Sequence, residues 1–107
     1  NYVAIVNRHK MYVNLFFGNA RTQENDSSQT KHLDASLISS TSTIFLRLCN
    51  DMEYIVDCAC TKIMIEECRN LVLIANDKII TSTIEVWKSN DITLKLNTQV
   101  QTVQVDQ

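Results

Sequence analysis

The sequence contains no proline and only one glycine, Gly18, in 107 residues. Proline and glycine are the usual residues of tight turns, and hairpins favour Asn-Gly or Asp-Gly pairs, neither of which occurs here. The same scarcity excludes collagen-like and Gly/Pro-rich low-complexity chains. Ile, Val and Thr, which favour strands, nevertheless make up 30 of the 107 residues. A strand-rich chain of this composition must change direction without the common turn residues.

The length predicts one domain, because chains of this size rarely enclose more than one core. We therefore treat residues 1–107 as a single domain. Since the sequence begins with Asn1 rather than methionine and stops inside an apparent strand, we expect it to be part of a longer protein.

Charge and hydrophobic patterning exclude two classes of partner. Ten Lys and Arg against twelve Asp and Glu give a net charge of -2, whereas nucleic-acid binding needs a concentrated basic surface. No apolar run reaches the roughly 18 residues of a membrane-spanning helix. We therefore predict neither nucleic-acid binding nor a membrane span.

The four cysteines, Cys49, Cys58, Cys60 and Cys68, form neither a Cys-x-x-Cys pair nor a recurrent zinc pattern. They are also few for a disulfide scaffold. We predict buried, reduced thiols that pack as small apolar side chains, and no metal or cofactor.

The chain repeats itself every 19 to 21 residues. Four segments begin with an apolar-x-apolar pattern at Ile44, Ile63, Ile84 and Val103. In the first three, a corner triplet follows (Cys49-Asn-Asp, Cys68-Arg-Asn and Ser89-Asn-Asp) and leads into a second alternating run. Asn and Asp tolerate left-handed backbone, so they can supply the corners that glycine supplies elsewhere.

The same template fits the N-terminus, where residues 1–17 are predicted to form the first coil. Residues 18–42 then form a polar insertion and lead-in, with the composition of an exposed, mobile loop, and residues 43–107 form the regular coils.

A period near 20 with short strands predicts an all-β parallel β-helix, a solenoid with coils of about 19–21 residues. Equivalent inward residues would stack in columns. The predicted columns are Ile44, Ile63, Ile84 and Val103; Leu46, Ile65, Val86 and Val105; and Tyr54, Leu73 and Leu94. Alternation alone also permits a β-sandwich of antiparallel strands, although the sequence lacks the hairpin turns for one.

The run from Ile63 to Asn70, Ile-Met-Ile-Glu-Glu-Cys-Arg-Asn, resembles the coil motif of the C-terminal domain of cyclase-associated proteins, a motif shared with tubulin-binding cofactor C. The likeness extends over residues 43–107 and departs at Ser89, where the motif has cysteine, and in the polar insertion. It implies a right-handed β-helix in the cytoplasm that binds monomeric actin, prefers its ADP form, promotes nucleotide exchange and filament turnover, and associates with the cytoskeleton. It also implies a homodimer through the C-terminal end.

Two alternatives stay open at this point. A cofactor C-like domain would act on tubulin or a small GTPase with a projecting arginine, and Arg47 and Arg69 are the arginines of the coils. A carbohydrate-active β-helix would need paired carboxylates, such as Glu53 with Asp57 or Glu66 with Glu67. Because neighbouring strand residues point to opposite sides, Glu66 and Glu67 are not expected to face one substrate. Neither histidine, His9 nor His32, lies in a catalytic motif, so no enzyme and no catalytic residue is predicted.

A partner-binding surface is better supported, since the outward positions mix apolar and charged residues. On the first sheet Phe45 and Met64 would be neighbours, and on the second sheet Ile55, Val72 and Ile74 would form an apolar patch. Trp87 is the sharpest single candidate, because tryptophan is common in interface hot spots. The predicted partner-binding residues are Phe45, Arg47, Met64, Glu66, Glu85, Trp87, Lys88 and Lys95.

Overall fold

The computed structural model describes residues 3–8, 11–17 and 29–106, and within these ranges the chain forms ten strands and no helix. The strands are β1 (Val3–Arg8), β2 (Met11–Phe17), β3 (Gln29–Leu33), β4 (Thr43–Arg47), β5 (Asn50–Val56), β6 (Lys62–Glu66), β7 (Arg69–Ala75), β8 (Thr83–Trp87), β9 (Asn90–Leu96) and β10 (Thr102–Asp106).

Two sheets face each other across the core. A four-stranded sheet has the order β10-β8-β6-β4, and a six-stranded sheet has the order β1-β2-β9-β7-β5-β3. Every pairing between coils is parallel, and the one antiparallel pairing among the described strands joins β1 to β2. The predicted parallel β-solenoid is therefore confirmed, with about four turns, and the antiparallel sandwich is wrong.

The inward columns have the predicted register. Ile44 pairs with Ile63, Ile63 with Ile84, and Val103 with Ile84, while Tyr54, Leu73 and Leu94 align on the opposite sheet. The interior coils are sealed from solvent, whereas Val103 and Val105 on the edge strand β10 are only half-buried. Each side chain in these columns packs against its equivalents above and below, so the repeat itself builds the core.

Each coil turns its first corner with two residues in left-handed backbone. Asp51, Asn70 and Asp91 have φ between 52° and 59°, as their residue types predicted. The residues before the corner triplets, Leu48, Glu67 and Lys88, also have positive φ, from 47° to 55°. This conformation costs a residue with a side chain about 1–2 kcal/mol, so neighbouring contacts must offset that cost at these three positions.

A ladder of hydrogen bonds through Cys49, Cys68 and Ser89 supplies such contacts. The backbone N–H of Cys49 donates to Sγ of Cys68 at 3.4 Å, and the N–H of Cys68 donates to Oγ of Ser89 at 3.0 Å. The Ser89 hydroxyl donates in turn to the carbonyl oxygen of Trp87 at 2.7 Å. Serine thus makes at position 89 the bonds that cysteine makes in the other coils.

The return side of the coils carries a second ladder. The Asn97 amide donates to Oδ1 of Asn76, and the Asn76 amide donates to Oδ1 of Asp57, both at 2.7 Å. Here Cys60 and Ile79 form an isolated parallel bridge. Side-chain bonds between equivalent residues therefore hold the coils together where the regular sheets stop.

The two ends of the six-stranded sheet differ from the sequence prediction. Residues 29–33, assigned to the polar insertion, form β3, which pairs with β5 and buries Leu33. Residues 3–8 and 11–17 are strands as predicted, but they pair with each other, and β2 lies beside β9 rather than before β5. Residues 18–28 of the insertion lie outside the described residues.

Candidate partner-binding face

The outward side of the four-stranded sheet, hereafter the outer face, carries six of the eight predicted binding residues. Strand alternation places the inward residues in the core and the intervening ones on this face. The outward residues are Thr43, Phe45 and Arg47 on β4; Lys62, Met64 and Glu66 on β6; Thr83, Glu85 and Trp87 on β8; and Thr102, Gln104 and Asp106 on β10.

Three large side chains form the apolar part of the outer face. Phe45 is 51 % exposed and lies beside Met64 in the next strand, which is half-buried. Trp87, on β8, is also half-buried. An aromatic side chain at this exposure offers a partner apolar area that is still in water, which is the usual origin of binding energy at an interface.

Glu85 fixes the position of Trp87. The indole Nε1 donates to Oε1 of Glu85 at 3.0 Å, and Lys62 Nζ lies 2.6 Å from Oε2 of the same carboxylate. The hydrogen bond from Lys62, followed by that from Trp87, lowers the pKa of Glu85 below its ordinary value. The carboxylate therefore stays ionised and holds a cation and an indole at once.

Arg47 is held by two carboxylates. Its guanidinium donates to Oε1 of Glu67 from Nε at 3.2 Å and from Nη2 at 3.1 Å, and Nε lies 3.8 Å from Oε2 of Glu66. The expectation that Glu66 and Glu67 point apart is wrong, because Glu67 lies at the corner with φ of 52° and strand alternation ends there. The cluster holds one cation between two carboxylates and carries a net charge of −1.

Lys88 lies at the edge of the outer face, directly after β8. It lines a shallow groove of about 360 Å³ along the corner, together with Leu48, Glu67 and Arg69. Leu48 is 59 % exposed. The groove extends the outer face around the corner and adds an apolar contact that the prediction did not include.

Lys95 is separated from the other predicted residues. It lies on β9 of the six-stranded sheet, where its register partner is Ile74. The apolar patch expected on that sheet is not a continuous exposed surface, because Ile74 is 2 % exposed; Ile55 and Val72 are half-buried, as Met64 and Trp87 are on the outer face. The outer face of the four-stranded sheet is therefore the better candidate.

The partner-binding residues predicted from the sequence omit several members of the site, among them Lys62 and Leu48. Lys62 precedes Met64 by two residues and so has the same outward parity, which is a signal that could have identified it. Leu48 occupies the same corner position in its coil as Glu67 and Lys88 occupy in theirs. Only the corner geometry shows that this leucine is exposed.

Several ionisable side chains away from the outer face make structural contacts. Glu53 is buried and accepts a hydrogen bond from Thr30 Oγ1 at 2.9 Å, so it is not available to a sugar substrate. His32 Nδ1 lies 3.6 Å from Oδ2 of Asp57 on the surface. Among the described residues there is no group of three or more His, Cys, Asp or Glu side chains placed to hold a metal ion.

All four cysteines are free thiols, as predicted. Cys58, Cys60 and Cys68 are buried, and Cys49 is half-buried. Burial raises the pKa of the Cys60 thiol to about 11 and raises the pKa of Cys58 and Cys68 above the ordinary value. The buried thiols are therefore protonated at neutral pH and pack as apolar side chains.

Stacked parallel coils that present an ordered face of aromatic, aliphatic and paired charged side chains define a β-solenoid domain with the surface character of a protein-binding module. In the part of the chain that the structure describes, no helix is long and apolar enough to cross a membrane. The chain belongs to the adenylate cyclase associated (CAP) C-terminal family, whose model matches residues 16–107. No curated protein and no solved structure gives a significant match.

Proposed function

We propose that this domain is the actin-monomer-binding domain of a cyclase-associated protein, with the outer face as its binding surface. It acts without catalytic residues, prefers ADP-actin, promotes nucleotide exchange on it and supports filament turnover in the cytoplasm. The observation that carries the proposal is the family match over residues 16–107, taken with the accessible outer face.

The outer face suits a large protein partner rather than a small ligand. Phe45, Met64 and Trp87 supply apolar area, while Arg47 and Lys62 are already paired with carboxylates. Charges that are fixed before binding lose little conformational freedom on association, so they contribute mainly to specificity. The corner groove, which Arg69 lines, adds a cation at the border for an acidic patch on the partner.

The family match also supports the actin-related function over that of a cofactor C-like domain. The arginine that such a domain would need is not readily supplied by Arg47, which is held by Glu66 and Glu67.

A homodimer through the C-terminal end is part of the proposal. On the edge strand β10, Val103 and Val105 are half-buried, whereas Ile84 and Val86, their equivalents on β8, have no exposed surface. Covering these two valines with a second copy would bury the apolar area that the edge leaves in water.

The test compares Phe45→Ala with Ile80→Ala. Both side chains are 51 % exposed, but Ile80 lies on the return side of the coil, outside the outer face. Binding to fluorescently labelled ADP-actin monomers and the release rate of a fluorescent nucleotide are measured for each variant. Phe45→Ala is expected to weaken binding roughly 30-fold, the effect of removing one interface hot spot, and Ile80→Ala to leave it unchanged.

Two results would contradict the proposal in different ways. If the unmodified protein neither binds actin monomers nor changes the nucleotide release rate, the proposed activity is wrong. If it binds and Phe45→Ala has no more effect than Ile80→Ala, the activity stands and the assignment to the outer face is wrong.

A further inference from the structure

The corner ladder brings two cysteines of neighbouring coils together. Arg47 pairs with Glu66 and Asn50 with Arg69, so Cys49 and Cys68 occupy equivalent corner positions, each directly before one of the adjacent parallel strands β5 and β7. Neighbouring strands lie about 4.8 Å apart, a separation within the range of roughly 4.4–6.8 Å that disulfides span between Cα atoms.

The Cys68 sulfur is oriented toward the preceding coil, the one that contains Cys49. Cys68 Sγ accepts the N–H of Cys49 at 3.4 Å and lies 3.4 Å from the carbonyl oxygen of Leu46, so it reaches the preceding coil. The Cys49 thiol lies at the same corner and donates to the carbonyl oxygen of Arg47 at 3.3 Å. The ladder thus holds the Cys68 sulfur against the backbone of Cys49.

Exposure gives the two thiols different roles. Cys49 is half-buried and can be reached from solvent, whereas Cys68 is 2 % exposed. The other two cysteines, Cys58 and Cys60, are buried at 3 % and 0 % exposure on the return side. A solvent oxidant therefore has one accessible thiol to attack, with a single buried thiol stacked on it.

We propose that Cys49 and Cys68 form a site of oxidative modification, at which a hydroperoxide converts the two thiols into a disulfide that links neighbouring coils. The Cys49 sulfur attacks the peroxide, an S–O bond forms, the O–O bond breaks, and the alcohol or water leaves with a proton. The Cys68 sulfur then attacks the Cys49 sulfenic acid, the S–S bond forms, and the hydroxyl leaves as water with the Cys68 proton. Two thiols are oxidised by two electrons, and one peroxide is reduced.

Disulfide formation removes only weak hydrogen bonds from the corner. Oxidation removes the thiol hydrogen bonds to carbonyl oxygens, which run from Cys49 to Arg47 and from Cys68 to Leu46 and Glu66. Thiols are weak donors, so the absence of these bonds costs little. In the next coil Ser89 replaces cysteine, which confines the disulfide to the first two coils.

The test treats the purified protein with hydrogen peroxide and then alkylates the remaining thiols under denaturing conditions. We expect two of the four thiols to be lost to alkylation and regained after reduction. Digestion with trypsin and an Asp-specific protease separates residues 48–50 from residues 57–62, so a link from 48–50 to 63–69 identifies the Cys49–Cys68 pair.

Matched variants test the order of events. Cys49→Ser, which copies the residue found at position 89, should abolish the link, while Cys58→Ser should retain it. In Cys68→Ser a sulfenic acid at Cys49 should be trapped by dimedone. The proposal is overturned if all four thiols stay alkylatable under peroxide that oxidises a free cysteine peptide, or if the link contains Cys58 or Cys60 or joins two chains. The peptide map of the unmodified protein decides whether the disulfide forms, so the test does not depend on whether each variant folds.

Discussion

Glu85 joins two contacts of the outer face, and its replacement gives a prediction with a definite sign and size. Glu85→Ala removes the carboxylate that accepts the Trp87 indole at 3.0 Å and pairs with Lys62 at 2.6 Å. Glu85→Gln retains an oxygen for the indole but loses the negative charge. The two variants therefore separate the hydrogen bond from the ion pair.

The expected magnitudes follow from the exposure of the groups. The side chains of Lys62 and Glu85 are 31 % and 14 % exposed, so solvent screens the ion pair only in part. Its loss in Glu85→Gln should lower the free energy of unfolding by about 0.5–1 kcal/mol. Glu85→Ala also loses the indole hydrogen bond, and the total should reach about 1–2 kcal/mol, since water can replace part of that bond at the half-buried Trp87.

The same contacts predict a pH dependence. The folded-state pKa of Glu85 is lowered, chiefly by the hydrogen bond from Lys62, so the stabilisation is present above the ordinary carboxyl value of about 4.3 and is lost as the pH falls through the lower folded value. The difference in stability between the unmodified protein and Glu85→Gln should stay constant from neutral pH to about pH 5 and shrink below about pH 4.

Trp87 provides the assay, because it is the single tryptophan of the chain and lies against the carboxylate. Denaturant unfolding followed by its fluorescence gives the stability of each variant. Glu66→Gln serves as the control, since Glu66 lies on the same face but 3.8 Å from its partner Arg47, and it should cost no more than about 0.5 kcal/mol. Equal costs for Glu85→Gln and Glu66→Gln, or a difference that does not change with pH, would refute the reasoning.

Two further predictions concern the coil itself. Ile65→Ala removes a fully buried side chain from a central column and should cost about 3–4 kcal/mol, whereas Leu46→Ala on the end strand β4, where the side chain is 7 % exposed, should cost less; equal denaturation midpoints for the two variants would contradict this. Asn70→Ala loses the 2.9 Å hydrogen bond to Asp51 and puts alanine, which lacks the side-chain amide that helps asparagine tolerate left-handed backbone, at φ of 52°. The free energy of unfolding should therefore fall by about 1–2 kcal/mol. Asn70→Gly loses the same hydrogen bond without the steric cost, so its melting temperature should be higher than that of Asn70→Ala. Equal melting temperatures for the two variants would show that backbone strain is not the cause.

The coils could be predicted from the sequence because two patterns, the spacing between repeats and the alternation within each strand, agree with each other. The spacing of Ile44, Ile63 and Ile84 sets the register, and the alternation within each strand decides which side chains enter the core. Since parallel stacking places like residues on like residues, one period predicted both strands and columns.

The parts that the sequence did not predict depend on contacts without a period. Residues 29–32 are polar, and Leu33 is the single buried residue of the strand, so no alternating pattern indicated β3. The placement of β2 beside β9 is a pairing distant in sequence and leaves no local signal. The left-handed backbone at Leu48, Glu67 and Lys88 contradicts the preference of those residue types and is imposed by the corner.

For the candidate site, parity predicted the outward residues but not how they contact each other. Strand alternation ends before Glu67, so alternation did not predict its contact with Arg47. Nor did it predict that Glu85 binds both Lys62 and Trp87 and so fixes the position of the indole. Which of two possible outward surfaces is accessible also required the fold, because Ile74 is buried on the outward side of its sheet.

The stacking of coils also gives the outer face an uneven resistance to local opening. In a solenoid each coil is stabilised mainly by its immediate neighbours, so coils at the ends open more readily than coils in the interior. Phe45 and Arg47 lie on β4, the edge strand of their sheet, whereas Met64 and Glu66 lie on β6 between two strands. A partner bound across the outer face would therefore hold an end strand to an interior one. Its binding would slow the local opening of β4 more than it would slow the opening of the central strands.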